Sequence, residues 1–456
     1  MKKTKFINLI SYSILLAFVC LFFYVFYRSE IYFNHQNFSY YQKYYIISIT
    51  GIVLSVILIF LKENLKINIF LVFFSSIFAL YVIEFLLYFY NPVSANSKDL
   101  LDKEKLKLDR NFDIRSRAEV FEAEKNKGRE VAVLPVPANI ASANEDFVLL
   151  SGHSNIENVF CNELGYYIIY KSDRYGFRNP DSEWGKKIKF LIVGDSLAHG
   201  CCVEEEDTIS GHLRYLNPEK DKAVLNLAMW GNGPMLMYAT LREYLSQNKV
   251  ENIIWLHSEG NDFTDLNWER KSDTLNRYLS DPSFKQDLIN KQSKINEYVQ
   301  NQIRKGVNSH NLSGDGNVFT LKKFLKLTQI RLLTFEKPEK FPIQPLLENL
   351  DLFDKVIISA NNYAKENNTN FIFVNLPDYF ARVNREQKHL LYEEKMRAYD
   401  HIKKFTKKNK IKFIDIQAEI FSKHPDPLSL FPFRKHNHFG PEGYKITAET
   451  ILKNLD

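Results

Sequence analysis

Residues 190–196 read Phe-Leu-Ile-Val-Gly-Asp-Ser, an apolar run that ends at a glycine, an acid and a serine. Four consecutive large apolar side chains predict a strand that is buried on both faces. The small and polar residues that follow predict a sharp turn at the end of this strand. We therefore expect a buried strand that leads directly into a loop carrying a nucleophile, Ser196.

Further apolar runs follow and alternate with helical stretches. Together with the first run, the predicted strands are residues 188–194, 222–227, 251–257, 370–376 and 411–416. Such alternation is typical of a parallel sheet that is covered by helices on both faces. The sequence thus predicts an α/β fold with a five-stranded parallel sheet, in which ligands bind beyond the carboxyl ends of the strands.

Three other polar blocks follow Ser196 in order. Gly231 lies in Asn-Leu-Ala-Met-Trp-Gly, Asn261 in Glu-Gly-Asn-Asp, and His438 in His-Phe-Gly-Pro-Glu-Gly-Tyr. Each block alone has an ordinary structural explanation, such as a helix cap, a turn glycine or a loop histidine. As an ordered set, the serine, glycine, asparagine and histidine resemble the SGNH, or GDSL, hydrolases over about residues 185–450.

The resemblance implies a flavodoxin-like, three-layer α/β/α SGNH-hydrolase domain and a serine-based mechanism. Ser196 would be the nucleophile, and His438 the base that takes its proton. The backbone N–H groups of Ser196 and Gly231, with the side-chain amide of Asn261, would form the oxyanion hole. This chemistry implies no metal and no cofactor.

One position departs from the family pattern. Three residues before the histidine, where the family has an aspartate that orients the ring, this chain has Lys435. Asp426, His436 and a backbone carbonyl remain as alternatives for orienting His438, and His436 is also an alternative base. Loss of the orienting acid in other triads lowers activity without abolishing it.

The first 90 residues predict a membrane anchor. Residues 6–27, 44–61 and 67–90 are each long and apolar enough to cross a hydrocarbon core of about 30 Å as a helix. The segment before the first span and the loop between the second and third spans would lie on the same side of the membrane. They carry most of the positive charge near the spans: Lys2, Lys3, Lys5, Lys62 and Lys66. Such loops are usually cytoplasmic, so we expect the cytoplasmic membrane, a cytoplasmic N-terminus and an extracytoplasmic C-terminal domain, either periplasmic or at the cell surface. Glu84 lies inside the third span, as a functional acid or as a partner of another helix.

The four cysteines bear on this topology. In an oxidising compartment, a disulfide from Cys161 to Cys202 or Cys201 would join the segment before the hydrolase core to the loop after the nucleophile. Free buried thiols are the alternative, and would be expected of a cytosolic domain. We expect one disulfide, with Cys161 and Cys202 as the candidate pair. Adjacent cysteines without a second Cys/His cluster do not predict a zinc site.

Three regions follow from these patterns. They are the membrane anchor (1–90), a juxtamembrane helix and docking segment (91–184), and the SGNH-like domain (185–456) with a helical insertion at about 265–355. Within the insertion, residues 319–335 mix apolar side chains with lysines at helical spacing. They predict a cap helix, a lid, a docking surface or a helix on the membrane surface.

Two functions are consistent with the sequence. The first is a membrane-anchored serine esterase or O-acyltransferase that acts on ester-linked acyl groups, with envelope polysaccharide as the candidate substrate. The second is a catalytically decayed SGNH-fold scaffold or glycan-binding protein of the envelope. The expected partners are an acylated glycan or other ester, the lipid bilayer and envelope-assembly proteins. The net charge of +6 is spread without an aromatic-interleaved basic stripe, so nucleic acid is not expected.

Overall fold

The computed structural model describes residues 2–35, 38–90, 105–133, 148–245, 249–308, 321–334, 346–383 and 392–455. The strands are β1 Val131–Val133, β2 Glu157–Val159, β3 Ile169–Lys171, β4 Lys187–Gly194, β5 Lys222–Asn226, β6 Val250–Ser258, β7 Asn370–Leu376 and β8 Lys412–Asp415. The helices of the first 310 residues are α1 Lys2–Phe26, α2 Phe38–Phe60, α3 Glu63–Tyr90, α4 Arg117–Asn126, α5 Ser196–His199, α6 Ile209–Leu216, α7 Pro234–Tyr244, α8 Asp262–Glu269, α9 Asp273–Ser280 and α10 Gln292–Asn308. The later helices are α11 Leu321–Leu325, α12 Thr328–Thr334, α13 Leu350–Glu366, α14 Tyr392–Lys408 and α15 Pro441–Lys453.

The chain forms two compact units. The first comprises residues 1–104 and 317–344, and the second comprises residues 105–316 and 345–456. Helices α1, α2 and α3 belong to the first unit. Together with the π-helical turn Tyr27–Tyr32 that continues α1, they include three segments long and apolar enough to span a membrane: Thr4–Tyr32, Tyr40–Phe60 and Glu63–Leu87. Residues 91–104 of the juxtamembrane segment lie outside the described residues.

The second unit is built on a five-stranded sheet in the order β5-β4-β6-β7-β8, with every neighbouring pair parallel. This arrangement confirms the α/β fold with a flavodoxin-like strand order, and the observed strands match the predicted ranges closely. The order changes direction at β4, so the crevice beyond the ends of β4, β5 and β6 is the expected ligand site.

Both faces of the sheet are buried. Along β4, Leu191 and Val193 pack in one hydrophobic cluster, while Phe190 and Ile192 pack in the other. Because successive side chains of a strand point to opposite faces, the continuous apolar run supplies both clusters. The core therefore consists of two layers, one on each side of the sheet, as a three-layer fold requires.

The segment before this sheet has structure of its own. Strands β1, β2 and β3 form a small sheet, in which β1 and β2 are parallel and β2 and β3 are antiparallel. Helix α4 begins with a capping box, in which Ser116 and Glu119 satisfy each other's backbone N–H groups. Phe160 and Val159 from this segment join one of the two core clusters, so the segment is part of the second unit's core.

Candidate active site

Ser196 lies at the start of the short helix α5, directly after β4. Asp195 caps this helix, since its Oδ1 accepts from the backbone N–H of Leu197 at 3.0 Å. Gly194 is required by close packing, because an added Cβ would lie 2.4 Å from the Cβ of Ala198. The turn therefore holds the serine at the carboxyl end of the strand, where the residue is 8% exposed.

His438 lies within hydrogen-bond reach of this serine. Its Nε2 is 3.0 Å from Ser196 Oγ, although 242 residues separate them in the sequence. Its Nδ1 is 2.8 Å from Oε1 of Glu163. Because an ionised carboxylate only accepts, Nδ1 carries the proton and donates to Glu163, and Nε2 is left to accept from the serine hydroxyl.

Glu163 comes from the segment before the sheet and follows Cys161 by two residues. The structure joins Cys161 to Cys202, with their Cα atoms 5.2 Å apart. Cys202 lies in the buried loop that follows α5 and adopts a left-handed backbone with φ of 67°. The disulfide thus links the segment that carries Glu163 to the loop that follows Ser196.

The electrostatics of this chain favour a basic histidine. Burial by itself would lower the pKa of His438, but the charge of Glu163, the hydrogen bond that His438 donates to Glu163 and the charge of Asp195 together raise it above its ordinary value. A raised pKa makes the imidazole a stronger proton acceptor, because its protonated form is stabilised. The arrangement is therefore suited to removing the proton of Ser196.

The sequence-based alternatives for orienting His438 are wrong. Asp426 pairs with Arg434, whose Nη1 lies 2.6 Å from Asp426 Oδ2, on the exposed surface. Among the described residues, no hydrogen bond joins His436 to His438, and burial lowers the pKa of His436. Glu163 thus occupies the orienting position beside the ring. In the SGNH pattern an aspartate three residues before the histidine has this position, and this chain has Lys435 there.

The predicted oxyanion donors follow the neighbouring strands. Gly231 lies in the loop after β5 and has a φ of 80°, a conformation that favours glycine. Asn261 lies directly after β6 and before α8. Ser196, His438, Asn261 and Trp230, the residue before Gly231, line one cavity of about 390 Å³. The structure thus gathers the four sequence blocks at one edge of the sheet.

Helix α8 contacts both the loop of Asn261 and the start of the helix that follows the Gly231 loop. The amide of Asn261 donates to Oδ2 of Asp265 at 2.7 Å. One turn later, Glu269 accepts from the backbone N–H groups of Met235 at 2.8 Å and Leu236 at 3.2 Å, at the start of α7. Burial raises the pKa of Asp265 well above its usual range, and burial also raises that of Glu269 to about 8, against the effect of the backbone donors.

His199 supports the glycine loop from the other side. Its Nδ1 accepts from the backbone N–H of Trp230 at 3.2 Å, and its Nε2 lies 3.1 Å from the hydroxyl of Tyr170. Burial, with a smaller effect from the charge of Arg178, lowers the pKa of His199 to about 3. The ring is therefore neutral, and its Nε2–H donates to Tyr170.

A buried ion pair completes the lining of the cavity. Lys395 and Asp378 are joined at 2.5 Å, and each side chain is 4% exposed. Lys395 also donates to the backbone oxygen of Gly260 at 3.2 Å, next to Asn261. Tyr379 and Phe380 add aromatic surface to the same cavity. Sequence analysis did not single out any of these residues.

Comparison with known proteins gives similarities to solved structures. No family model matches the sequence, and no curated protein matches it significantly. The structure is similar to GDSL (SGNH) hydrolases. A member of the lipolytic G-D-S-L family from Veillonella parvula DSM 2008 is 10% identical with a TM-score of 0.32, and the match covers 58% of this chain and 97% of that one. The acetyl xylan esterase AlAXEase is 11% identical with a TM-score of 0.34, and covers 59% of this chain and all of its own. A catalytic mutant of an acetylxylan esterase from Geobacillus stearothermophilus is 14% identical with a TM-score of 0.32, over 59% of this chain and 94% of its own.

One group near the serine has the composition of a metal site. Ligand atoms of Glu163, Cys202 and His438 lie within 4.8 Å of one another. However, the sulfur of Cys202 is bonded to Cys161, and both ring nitrogens of His438 are in hydrogen bonds. Since a thiolate and a free imidazole nitrogen are the ligating forms, this group does not fit a metal.

Glu163 is the functional candidate that sequence reasoning missed. The side chains predicted to orient His438, Asp426 and His436, lie close to it in the sequence, whereas Glu163 lies 275 residues earlier. The signal that could have found it was the expected disulfide of Cys161, because a bond to the loop after Ser196 places the neighbouring Glu163 beside the nucleophile.

Proposed function

We propose that this chain is a membrane-anchored serine esterase or O-acyltransferase that acts on ester-linked acyl groups of a glycan. The observation that carries the proposal is the hydrogen-bonded chain from Ser196 through His438 to Glu163. A nucleophile, a base and an acid that orients the base are the three parts needed to activate a hydroxyl.

In the first half-reaction, the Ser196 oxygen attacks the ester carbonyl while His438 Nε2 takes the hydroxyl proton. The negative oxygen of the tetrahedral intermediate accepts hydrogen bonds from the N–H groups of Ser196 and Gly231 and from the amide of Asn261. The intermediate then collapses: the alcohol leaves with the proton from His438, and the acyl group remains on Ser196. Glu163 stabilises the imidazolium that forms between these two steps.

In the second half-reaction, His438 takes a proton from an incoming hydroxyl, whose oxygen attacks the acyl carbon of the acyl-enzyme. The bond from that carbon to Ser196 Oγ then breaks, and His438 returns the proton to the serine oxygen. Water as the acceptor gives hydrolysis, and a sugar hydroxyl gives acyl transfer. The same residues serve both outcomes, because only the acceptor differs. The exclusion of water from the cavity decides between them.

The lining of the cavity supports a glycan ester. The buried pair of Asp378 and Lys395 offers a carboxylate acceptor and an ammonium donor, the complementary partners of sugar hydroxyls. Trp230 and Phe380 supply partly exposed aromatic surface for the apolar face of a sugar ring. A cavity with a few polar groups and aromatic walls is typical of small-molecule sites.

The alternative of a decayed scaffold loses its main support. That alternative depended on Lys435, which occupies the position of the orienting acid. Glu163 supplies a carboxylate to His438 at 2.8 Å, so the missing aspartate is compensated from another part of the chain.

We also propose that the N-terminus is cytoplasmic and that the catalytic unit is outside the cytoplasmic membrane. An odd number of spans, three by length and composition, supports ends on opposite sides of the membrane, and the lysine-rich loops favour a cytoplasmic N-terminus. The bond between Cys161 and Cys202 supports an oxidising compartment. Envelope-assembly proteins are the expected protein partners in that location.

The test is turnover of p-nitrophenyl acetate by the detergent-solubilised full chain. We expect Ser196→Ala to lose nearly all turnover, and Ser280→Ala, an exposed serine on α9, to retain it. Product analysis with and without an added oligosaccharide would then separate transfer from hydrolysis. Equal turnover by Ser196→Ala and the unchanged protein would rule out the serine mechanism.

A further inference from the structure

A short helical segment inserted between β6 and β7 packs against the membrane helices. Helices α11 and α12, residues 321–334, belong to the same compact unit as α1, α2 and α3, although they lie more than 230 residues later in the chain. The hydroxyl of Tyr81 on α3 donates to the backbone oxygen of Leu325 at 3.1 Å. The rings of Tyr81 and Phe324 are 5.4 Å apart.

Glu84 explains why α12 begins where it does. Its two carboxylate oxygens accept from the backbone N–H groups of Gln329 at 2.8 Å and Ile330 at 2.9 Å. The first N–H groups of a helix have no partner within the helix, and a carboxylate there also favours the helix dipole. Glu84 is 0% exposed, so this acid within a membrane span has a defined partner.

The position of the contact along α3 gives its depth. The third candidate span ends at Leu87, three residues after Glu84, which corresponds to about 4.5 Å at the helical rise of 1.5 Å per residue. Helix α12 also reaches the start of the second span, because Arg331 bonds the hydroxyl of Tyr40 and lies 5.8 Å from the ring centre of Tyr44. Tyrosines are enriched at the boundary between hydrocarbon and water.

The outward side of the segment is amphipathic. Leu321, Leu325 and Leu333 are 66%, 57% and 59% exposed, values that are high for leucine. Lys322 and Lys326 are also exposed. Leu321 and Leu325 are four residues apart and share one face of α11. Exposed leucines beside lysines, on a segment fixed at the end of a membrane span, match a helix that lies in the interface.

We propose that α11 and α12 form an interfacial element. It is embedded in the lipid leaflet that contains the carboxyl ends of α1 and α3. The three exposed leucines enter the acyl region, and the two lysines lie at the level of the lipid phosphates. Because residues 317–344 interrupt the sequence of the second unit, the chain then has a second covalent connection to this leaflet, in addition to the one after α3. This proposal does not depend on the enzymatic reaction.

The experiment places a nitroxide label on the full chain in phosphatidylcholine/phosphatidylglycerol nanodiscs. In a Cys20→Ser background, Leu325→Cys and Leu333→Cys carry the label, with Tyr215→Cys as the control, because Tyr215 is 79% exposed on α6 of the catalytic unit. Collision rates are measured with oxygen, which concentrates in lipid, and with a water-soluble nickel complex. We expect oxygen to dominate at residues 325 and 333, and nickel to dominate at residue 215.

Glu84 provides an internal check. Glu84→Gln has one acceptor oxygen instead of two, so α12 loses part of its cap, and we expect the nickel collision rate at residue 333 to rise at least twofold. Labels at 325 and 333 that behave like the label at 215 would overturn the proposal. Preserved p-nitrophenyl acetate turnover in each labelled variant would show that the catalytic unit is folded in either case.

Discussion

Glu163 and His438 form a 2.8 Å hydrogen bond across 275 residues of sequence. The bond joins the small N-terminal sheet region to the last loop of the α/β domain. It supplies the acid that the sequence near His438 lacks, since Lys435 stands where an aspartate would be expected. The proposed catalytic site is therefore incomplete without the segment that precedes the parallel sheet.

The first prediction concerns Glu163→Gln. His438 must be unprotonated to accept the serine proton, so activity falls as the pH drops through its pKa. Glu163 raises that pKa, and we expect the acidic limb of kcat/KM to lie above pH 6.5 in the unchanged protein. In the variant the limb moves to lower pH, while the plateau falls by roughly 10²–10⁴-fold, as with other triads that lose their acid. Steady-state rates between pH 4 and 9 measure both effects.

Glu130→Gln, on the exposed surface, is the control and should leave both the limb and the plateau unchanged. A Glu163→Gln protein with the plateau and pH profile of the unchanged protein would contradict the role of Glu163.

The second prediction concerns the disulfide. Replacing Cys161 and Cys202 by serine removes the link across 41 residues, and we expect the free energy of unfolding of the catalytic unit to fall by about 2–4 kcal/mol. The turnover of the folded variant should also fall, because the disulfide no longer holds Glu163 beside His438. Denaturant unfolding, and turnover at a temperature where both proteins are folded, give the two quantities.

Cys20→Ser serves as the matched control, since Cys20 is exposed and forms no disulfide. Reduction with dithiothreitol should reproduce the loss in the unchanged protein. Full activity of the reduced, folded enzyme would show that the disulfide does not position Glu163.

The third prediction tests whether Asp265 acts through Asn261. Their side chains are 2.7 Å apart, and an oxyanion donor contributes to the transition state more than to substrate binding. We expect Asn261→Ala to lower kcat by roughly 10²–10³-fold and Asp265→Ala to lower it by about tenfold or more, each with little change in KM. In the double variant, the loss should equal that of Asn261→Ala alone, because the two residues act in one interaction. Additive losses would instead assign Asp265 a structural role of its own.

The features that the sequence predicts depend on neighbouring residues, whereas the features that it does not predict depend on contacts between residues far apart in the sequence. Strand β4 was predicted at 188–194 and is observed at 187–194, because a continuous apolar run is a local consequence of burial on both faces. The positions of Ser196, Asn261 and Gly231 follow from the same pattern, since each lies just after a strand. Proximity of parallel strand ends then brings them together without further information.

Glu163 and the segment 321–334 show what local patterns miss. No periodicity marks Glu163 as a partner of His438; the contact arises from packing of one region against another, and only Cys161 hinted at it. Likewise, the sequence of residues 319–335 favoured a cap helix over a lid, a docking surface or a helix on the membrane surface, although an amphipathic helix does not specify what covers its apolar face. In the structure, Glu84 caps α12 and so joins this segment to α3, a contact between distant parts of the chain that no local pattern predicts.

The last prediction concerns recognition of the substrate. Asp378 and Lys395 are buried together beside Asn261, and removing one charge alone would leave the other unpaired at a cost of several kcal/mol. The double variant Asp378→Asn/Lys395→Gln removes both charges at similar volume. We expect its KM for acetylated oligosaccharide to rise about tenfold, which is near the value of one hydrogen bond. Its kcat/KM for p-nitrophenyl acetate should stay within about twofold, because that ester has no sugar hydroxyls to bind.

The control for this prediction is the double variant Glu419→Gln/Lys423→Gln, which removes an exposed i,i+4 ion pair and should change neither constant. Equal losses on both esters would indicate that the buried pair maintains the fold of the loop, and unchanged constants on both would remove it from substrate binding.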